Sequence, residues 1–82
     1  MKYNVNDIIT PEQCRAARAF LNWSQEDLAK KVRVIKTTIG DFERKKTIPY
    51  RKTLEDIRTE FEKAGIRFEN NKTGFGVKLS NK

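Results

Sequence analysis

Histidine is absent from this chain, Cys14 is its only cysteine, and its 82 residues include just four glycines and two prolines. One cysteine makes an internal disulfide impossible, and without histidine the usual zinc ligand sets cannot be assembled. The commonest general base is missing for the same reason, so neither an enzyme nor a metal or cofactor site is expected. No apolar run approaches the roughly 20 residues that span a bilayer. The opening Met1-Lys2-Tyr3-Asn4-Val5-Asn6-Asp7 lacks the apolar block of a signal peptide, which predicts a cytoplasmic protein with no membrane partner. There are no internal repeats. A chain this short has room for one modest core and sits near the limit of independent stability, so self-association is expected.

Acidic residues are also in short supply: 11 against 18 lysines and arginines, a net charge of +7. The imbalance is local. Nine basic residues lie between Lys30 and Lys52 with only Asp41 and Glu43 among them (9 − 2 = +7), while the rest of the chain holds nine of each sign and sums to zero. A solvated basic face is the plainest explanation. A focused patch, however, also attracts a polyanion by releasing its condensed counterions.

Residues 1–9 read as a lead-in. Thr10-Pro11-Glu12 then supplies a hydroxyl cap, a proline at the first helical position and an acid in the first turn. The spacing predicts a helix to about Leu21, with Ala17, Phe20 and Leu21 as its apolar stripe. Ser24 and Asp27 form a capping box for a second helix that turns Leu28, Ala29 and Val32 inward. After Arg33-Val34-Ile35 comes a third, from about Lys36 to Arg44, with Ile39 and Phe42 as its buried residues. Pro49 ends any continuation, and Leu54, Ile57, Phe61 and Ala64 share one face of a fourth helix over Tyr50–Ala64, closed by Gly65. Ile66–Glu69 and Val77–Ser80 alternate with period two, and the turn-rich Asn70–Gly76 between them predicts a hairpin.

Two short helices joined by a three-residue turn meet the geometric requirement of a helix-turn-helix, whose second helix enters the major groove of DNA. Trp23-Ser24-Gln25-Glu26-Asp27-Leu28-Ala29-Lys30-Lys31-Val32, then Thr37-Thr38-Ile39 and Phe42-Glu43-Arg44, resemble the signature of the Xre-type, lambda-repressor-like helix-turn-helix family. The resemblance covers residues 10 to about 64. It implies a mostly α fold, a lambda-repressor-like bundle of four to five short helices, here with a C-terminal β-hairpin. The resemblance assigns base reading to Lys36, Thr37 and Asp41, and phosphate contact to Gln25, Thr38, Arg44, Lys46 and Thr47. It also implies a structural ion pair of Arg18 with Glu43. The chemistry is compatible: lysine donates to guanine, threonine offers a hydroxyl or a methyl group, and aspartate accepts from cytosine. Tyr50 and Arg51 can reach phosphate through hydroxyl, guanidinium and helix N-terminal amides. Three positions depart from the pattern: Arg33 and Lys45 stand where glycine is usual, and Ile35 stands where serine usually caps the third helix.

The remaining signals are plain ones. Cys14 reads as a packed apolar residue, Trp23 as core or staple, and Gly74-Phe75-Gly76 as turn chemistry. The expected organisation is therefore a DNA-binding domain over residues 10–65 and a hairpin over 66–82. The expected function is a transcriptional regulator, a repressor in character, reading a palindromic operator in double-stranded DNA. An antitoxin-like module that also binds a partner protein is the alternative. With no sensor domain, no small-molecule ligand is expected. Ile66 and Phe68 share a strand face, as do Val77 and Leu79. An isolated hairpin is marginal in water, so these four are expected to build a homodimer, the alternative being that the hairpin folds back on its own helices and the dimer forms elsewhere.

Overall fold

The structure, a computed structural model, describes residues 8–80 as α1 (Pro11–Leu21), α2 (Gln25–Val32), α3 (Lys36–Glu43), α4 (Arg51–Lys63), β1 (Ile66–Asn71) and β2 (Gly74–Leu79). The expected lead-in lies mostly outside the described residues; its last two members, Ile8 and Ile9, are buried.

The first two helices begin where a hydroxyl can satisfy orphan amides. Thr10 Oγ1 accepts from the Gln13 amide at 3.0 Å, and Gln13 Oε1 accepts in return from the Thr10 amide at 2.9 Å. Ser24 and Asp27 exchange the same pair of bonds, both at 2.9 Å. α3 has no such start. Ile35 takes the extended cap conformation but offers no side-chain acceptor. Arg33 closes α2 in the left-handed region at φ 63°, and Lys45 follows α3 at φ 64°. Both therefore carry the backbone cost that glycine would avoid.

Ile9, Cys14, Ala17, Leu28, Ile39, Phe42, Leu54, Ile57, Phe61 and Ile66 are fully enclosed and bind the helices into one core. Phe61 is sandwiched: Trp23 stacks on it at 5.5 Å between ring centroids, and Phe68 meets it edge-on at 6.1 Å. Phe20 departs from the expected stripe and is 51% exposed. α1 instead turns Gln13, Cys14 and Ala17 inward with Leu21 packed alongside, a row at spacings of three and four that leaves Phe20 on its flank. Ala64 is only half-buried, since α4 stops at Lys63 and Ala64 is its C-cap.

The hairpin is tighter than its turn-rich middle suggested. The strands run from Ile66 paired with Leu79 to Asn71 paired with Gly74, leaving only Lys72 and Thr73 between them. Asn71 Oδ1 makes this possible by accepting from the amides of Thr73 and Gly74 and from the Thr73 hydroxyl. The hairpin's apolar face is covered within the chain, β1 lying on α4 and β2 on α1. Ile66 is inside the core, with Phe68 and Val77 packed against it. Of the four residues expected to meet a second chain, Leu79 alone keeps an exposed side chain. Gln13 fastens the arrangement: its Nε2 donates to Asn70 Oδ1 at 2.7 Å and to the Gly76 carbonyl at 3.0 Å.

Arg33→Gly is expected to raise the unfolding free energy by about 1 kcal/mol, because the left-handed cap then carries no Cβ. A urea titration with an unchanged slope checks this.

Candidate nucleic-acid interface

The connection between α2 and α3 is the three residues Arg33, Val34 and Ile35, fixed by the Val34 amide donating to the Ala29 carbonyl at 3.0 Å. Leu28, Ala29 and Ile39 are buried where the two helices cross. Small and branched side chains at that crossing let α3 lie close to α2 while turning its other side out. Lys36 and Thr37 are exposed, Asp41 and Thr38 are half-buried, and Arg44 follows one turn later, exposed. The loop beyond α3 is held by the Asp41 carbonyl, which accepts from the amides of Lys46 at 2.8 Å and Thr47 at 3.4 Å. Both of those side chains are exposed.

Glu43 is 2% exposed, and its carboxylate is met by three side chains from two other helices. Arg18 of α1 donates from Nε and Nη2, each at 2.7 Å. Cys14 donates its thiol at 3.0 Å, and Gln25 of α2 donates Nε2 at 3.1 Å. Arg18 also gives a bond to the Trp23 carbonyl, while Arg15 caps the Glu43 carbonyl. Burial pushes the Glu43 carboxyl towards its neutral form, but hydrogen bonds from Arg18, Cys14 and Gln25 outweigh it and hold the group below its ordinary value. Burial, with the Glu43 charge beside it, drives the Cys14 thiol well up, so Cys14 stays protonated. The expected Arg18–Glu43 pair is therefore present, with two further donors.

Two of the expected phosphate-binding cations, Arg44 and Arg51, are already paired, as are Lys45 and Lys52 of the same basic segment. Arg44 Nη2 lies 2.6 Å from Asp41 Oδ1, Arg51 Nε 3.0 Å from Glu55 Oε2 and Lys52 Nζ 3.1 Å from Asp56 Oδ2. Lys45 pairs with Glu12. These are solvent-exposed pairs of the kind worth under about 1 kcal/mol, which a phosphate can displace. Tyr50 precedes α4 and is 87% exposed.

Sequence reasoning missed two residues. Cys14 is packed as expected, yet its thiol is spent on Glu43, which no spacing rule reveals. Gly40 passed unnoticed inside α3, although a glycine within a helix costs about 1 kcal/mol and so signals a reason for being there.

The model of the helix-turn-helix family matches residues 15–63, from within α1 to the end of α4. Among curated proteins none matches the chain.

Removing one partner of the buried pair strands the other. Arg18→Ala or Glu43→Ala is therefore expected to cost about 3 kcal/mol of stability, read as a fall in melting temperature. Because Glu43 titrates lower in the folded state, its contribution is complete above the ordinary value of 4.5 and is lost as pH falls below it. Chemical unfolding between pH 7 and pH 3 should show that loss in the wild type and a flatter profile in Glu43→Gln.

Proposed function

The chain belongs to the lambda-repressor-like helix-turn-helix family of DNA-binding transcriptional regulators, and on that premise we propose that it is a repressor that reads a palindromic operator as a homodimer. The observation that carries this reading is the outward side of α3, where Lys36, Thr37 and Asp41 stand together within the one basic segment of the chain.

In this reading α3 lies in the major groove. Lys36 donates to guanine, Thr37 meets a thymine methyl or a base-edge acceptor, and Asp41 accepts from a cytosine amino group. Gln25, Thr38, Arg44, Lys46, Thr47, Tyr50 and Arg51 fix the register on phosphate. One helix reads only a few base pairs, so two chains related by a two-fold axis engage half-sites one helical turn apart, roughly 34 Å. A hairpin contact between the chains rests on Leu79, because Ile66 is buried and Phe68 and Val77 are half-buried against the core of each domain. The protein carries out no catalytic step, needs no cofactor or small-molecule effector, and acts in the cytoplasm on the nucleoid.

Duplexes selected from a random library by the wild-type protein provide the test. If each chain neutralises about four phosphates, log K against log salt for the dimer has a slope near −7. A flat response, or equal affinity for selected and random duplexes, refutes the reading. Lys36→Ala and Thr37→Ala should relax preference at particular base pairs at a cost of roughly 1–3 kcal/mol each. Lys46→Ala and Arg51→Ala should weaken all duplexes alike and make the slope shallower. Sedimentation checks the assembly: Leu79→Asp is expected to give monomers, and a variant that sediments as the wild type does places the dimer contact elsewhere.

A further inference from the structure

Gly40 sits on the reading side of α3, one turn after Lys36 and one turn before Arg44, yet it is buried while both of them are exposed. Two side chains cover it. A Cβ placed on Gly40 would stand 3.2 Å from Gln25 Oε1, 3.4 Å from Arg44 Nη1 and 3.7 Å from Arg44 Nη2. The backbone there is ordinary helix, so no left-handed conformation calls for glycine. What the position supplies is space across the helix.

The two side chains in that space are both partly committed. A carboxylate can only accept, so the Gln25 atom facing Glu43 is Nε2, which donates one hydrogen to Glu43 Oε1 at 3.1 Å. Its oxygen then rests over Gly40, and the second amide hydrogen is the one left to give. Arg44 folds back the other way across the same position to bond Asp41 Oδ1 at 2.6 Å.

We infer that Gly40 is a positioning residue for DNA binding: its missing side chain seats the Gln25 carboxamide between Glu43 and α3 and so fixes the direction in which Gln25 offers its second hydrogen to phosphate. The inference rests on the DNA-reading assignment of α3. It extends that assignment by placing part of the binding geometry in a residue that touches no nucleic acid. An alanine in its place pushes the Gln25 oxygen off α3 and turns the amide with it, without opening a cavity or breaking a backbone bond.

The experiment is a double-mutant cycle on Gly40→Ala and Gln25→Ala, read against a duplex selected by the wild-type protein. Alanine is the better helix former, so Gly40→Ala should melt no lower than wild type. It should nonetheless bind about tenfold more weakly, the scale of one hydrogen bond to a charged group. Gln25→Ala should lose a similar factor, and the double variant no more than the larger single loss. In the free protein, the side-chain amide signal of Gln25 in a ¹⁵N–¹H spectrum should move in Gly40→Ala. Wild-type affinity in Gly40→Ala, losses that multiply in the double variant, a lowered melting temperature or an unmoved Gln25 signal would each overturn the inference. If the wild type selects no duplex, the functional reading fails and this inference with it; selection by the wild type with an unaffected Gly40→Ala sinks this inference alone.

Discussion

A carboxylate closed off from water at the end of a helix cannot stand alone, and Glu43 is held by donors from α1 and α2 while belonging itself to α3. Three helices therefore meet on one charge. Arg18 supplies the compensating cation in two-toothed geometry, and its remaining nitrogen secures the chain between α1 and α2 at the Trp23 carbonyl. The angle at which α3 is presented follows from this junction as much as from the apolar residues beneath it. Apolar packing is indifferent to small rotations, whereas a carboxylate with several directed donors is not.

Charge is organised differently inside and outside. Inside, Glu43 is matched so fully that it contributes nothing to the outer field. Outside, Arg44, Lys45, Arg51 and Lys52 rest against carboxylates of their own helices or a neighbouring one, in pairs open to solvent. Those acids limit self-repulsion among the crowded cations in the absence of a polyanion and release them to one at small cost. The basic segment therefore reaches a phosphate backbone with its positions partly ordered beforehand.

Most helix boundaries were legible because they rest on local chemistry. Thr10, Ser24 and Asp27 satisfy amides three residues from themselves, and Pro11 removes an amide that would need a partner. Arg33 and Lys45 stood out because the family resemblance puts glycine there, and the structure gives both a positive φ. Phe20 was misjudged because Ala17 and Leu21 fit two neighbouring stripes equally well, and the elements that choose between them, α3 and β2, are distant in sequence. The hairpin loop was drawn too long because Asn71 works through its side chain, which alternation of apolar residues does not register. Whether a second chain or the chain's own helices cover the hairpin's apolar face was open in the sequence for a related reason: β2 lies on α1, far away in sequence. At the interface, the type of each residue was readable, but the link from Gln25 to Gly40 and Glu43 was not. That link runs across two helices through the absence of a side chain.

The bonds from Gln13 to Asn70 and Gly76 join positions 57 and 63 residues apart. Every helix can take shape from near neighbours, but Gln13 Nε2 meets both of these acceptors only once both strands exist. On a ribosome, α1 to α4 emerge with the side of Phe61 that Phe68 later covers still open, and with Gln13 Nε2 not yet bonded to either strand. This closure is thus a long-range search, made after α1 to α4 have emerged, by strands that follow them in the chain. A fragment ending at Gly65 would contain every element of the helix-turn-helix and still be an unfinished fold.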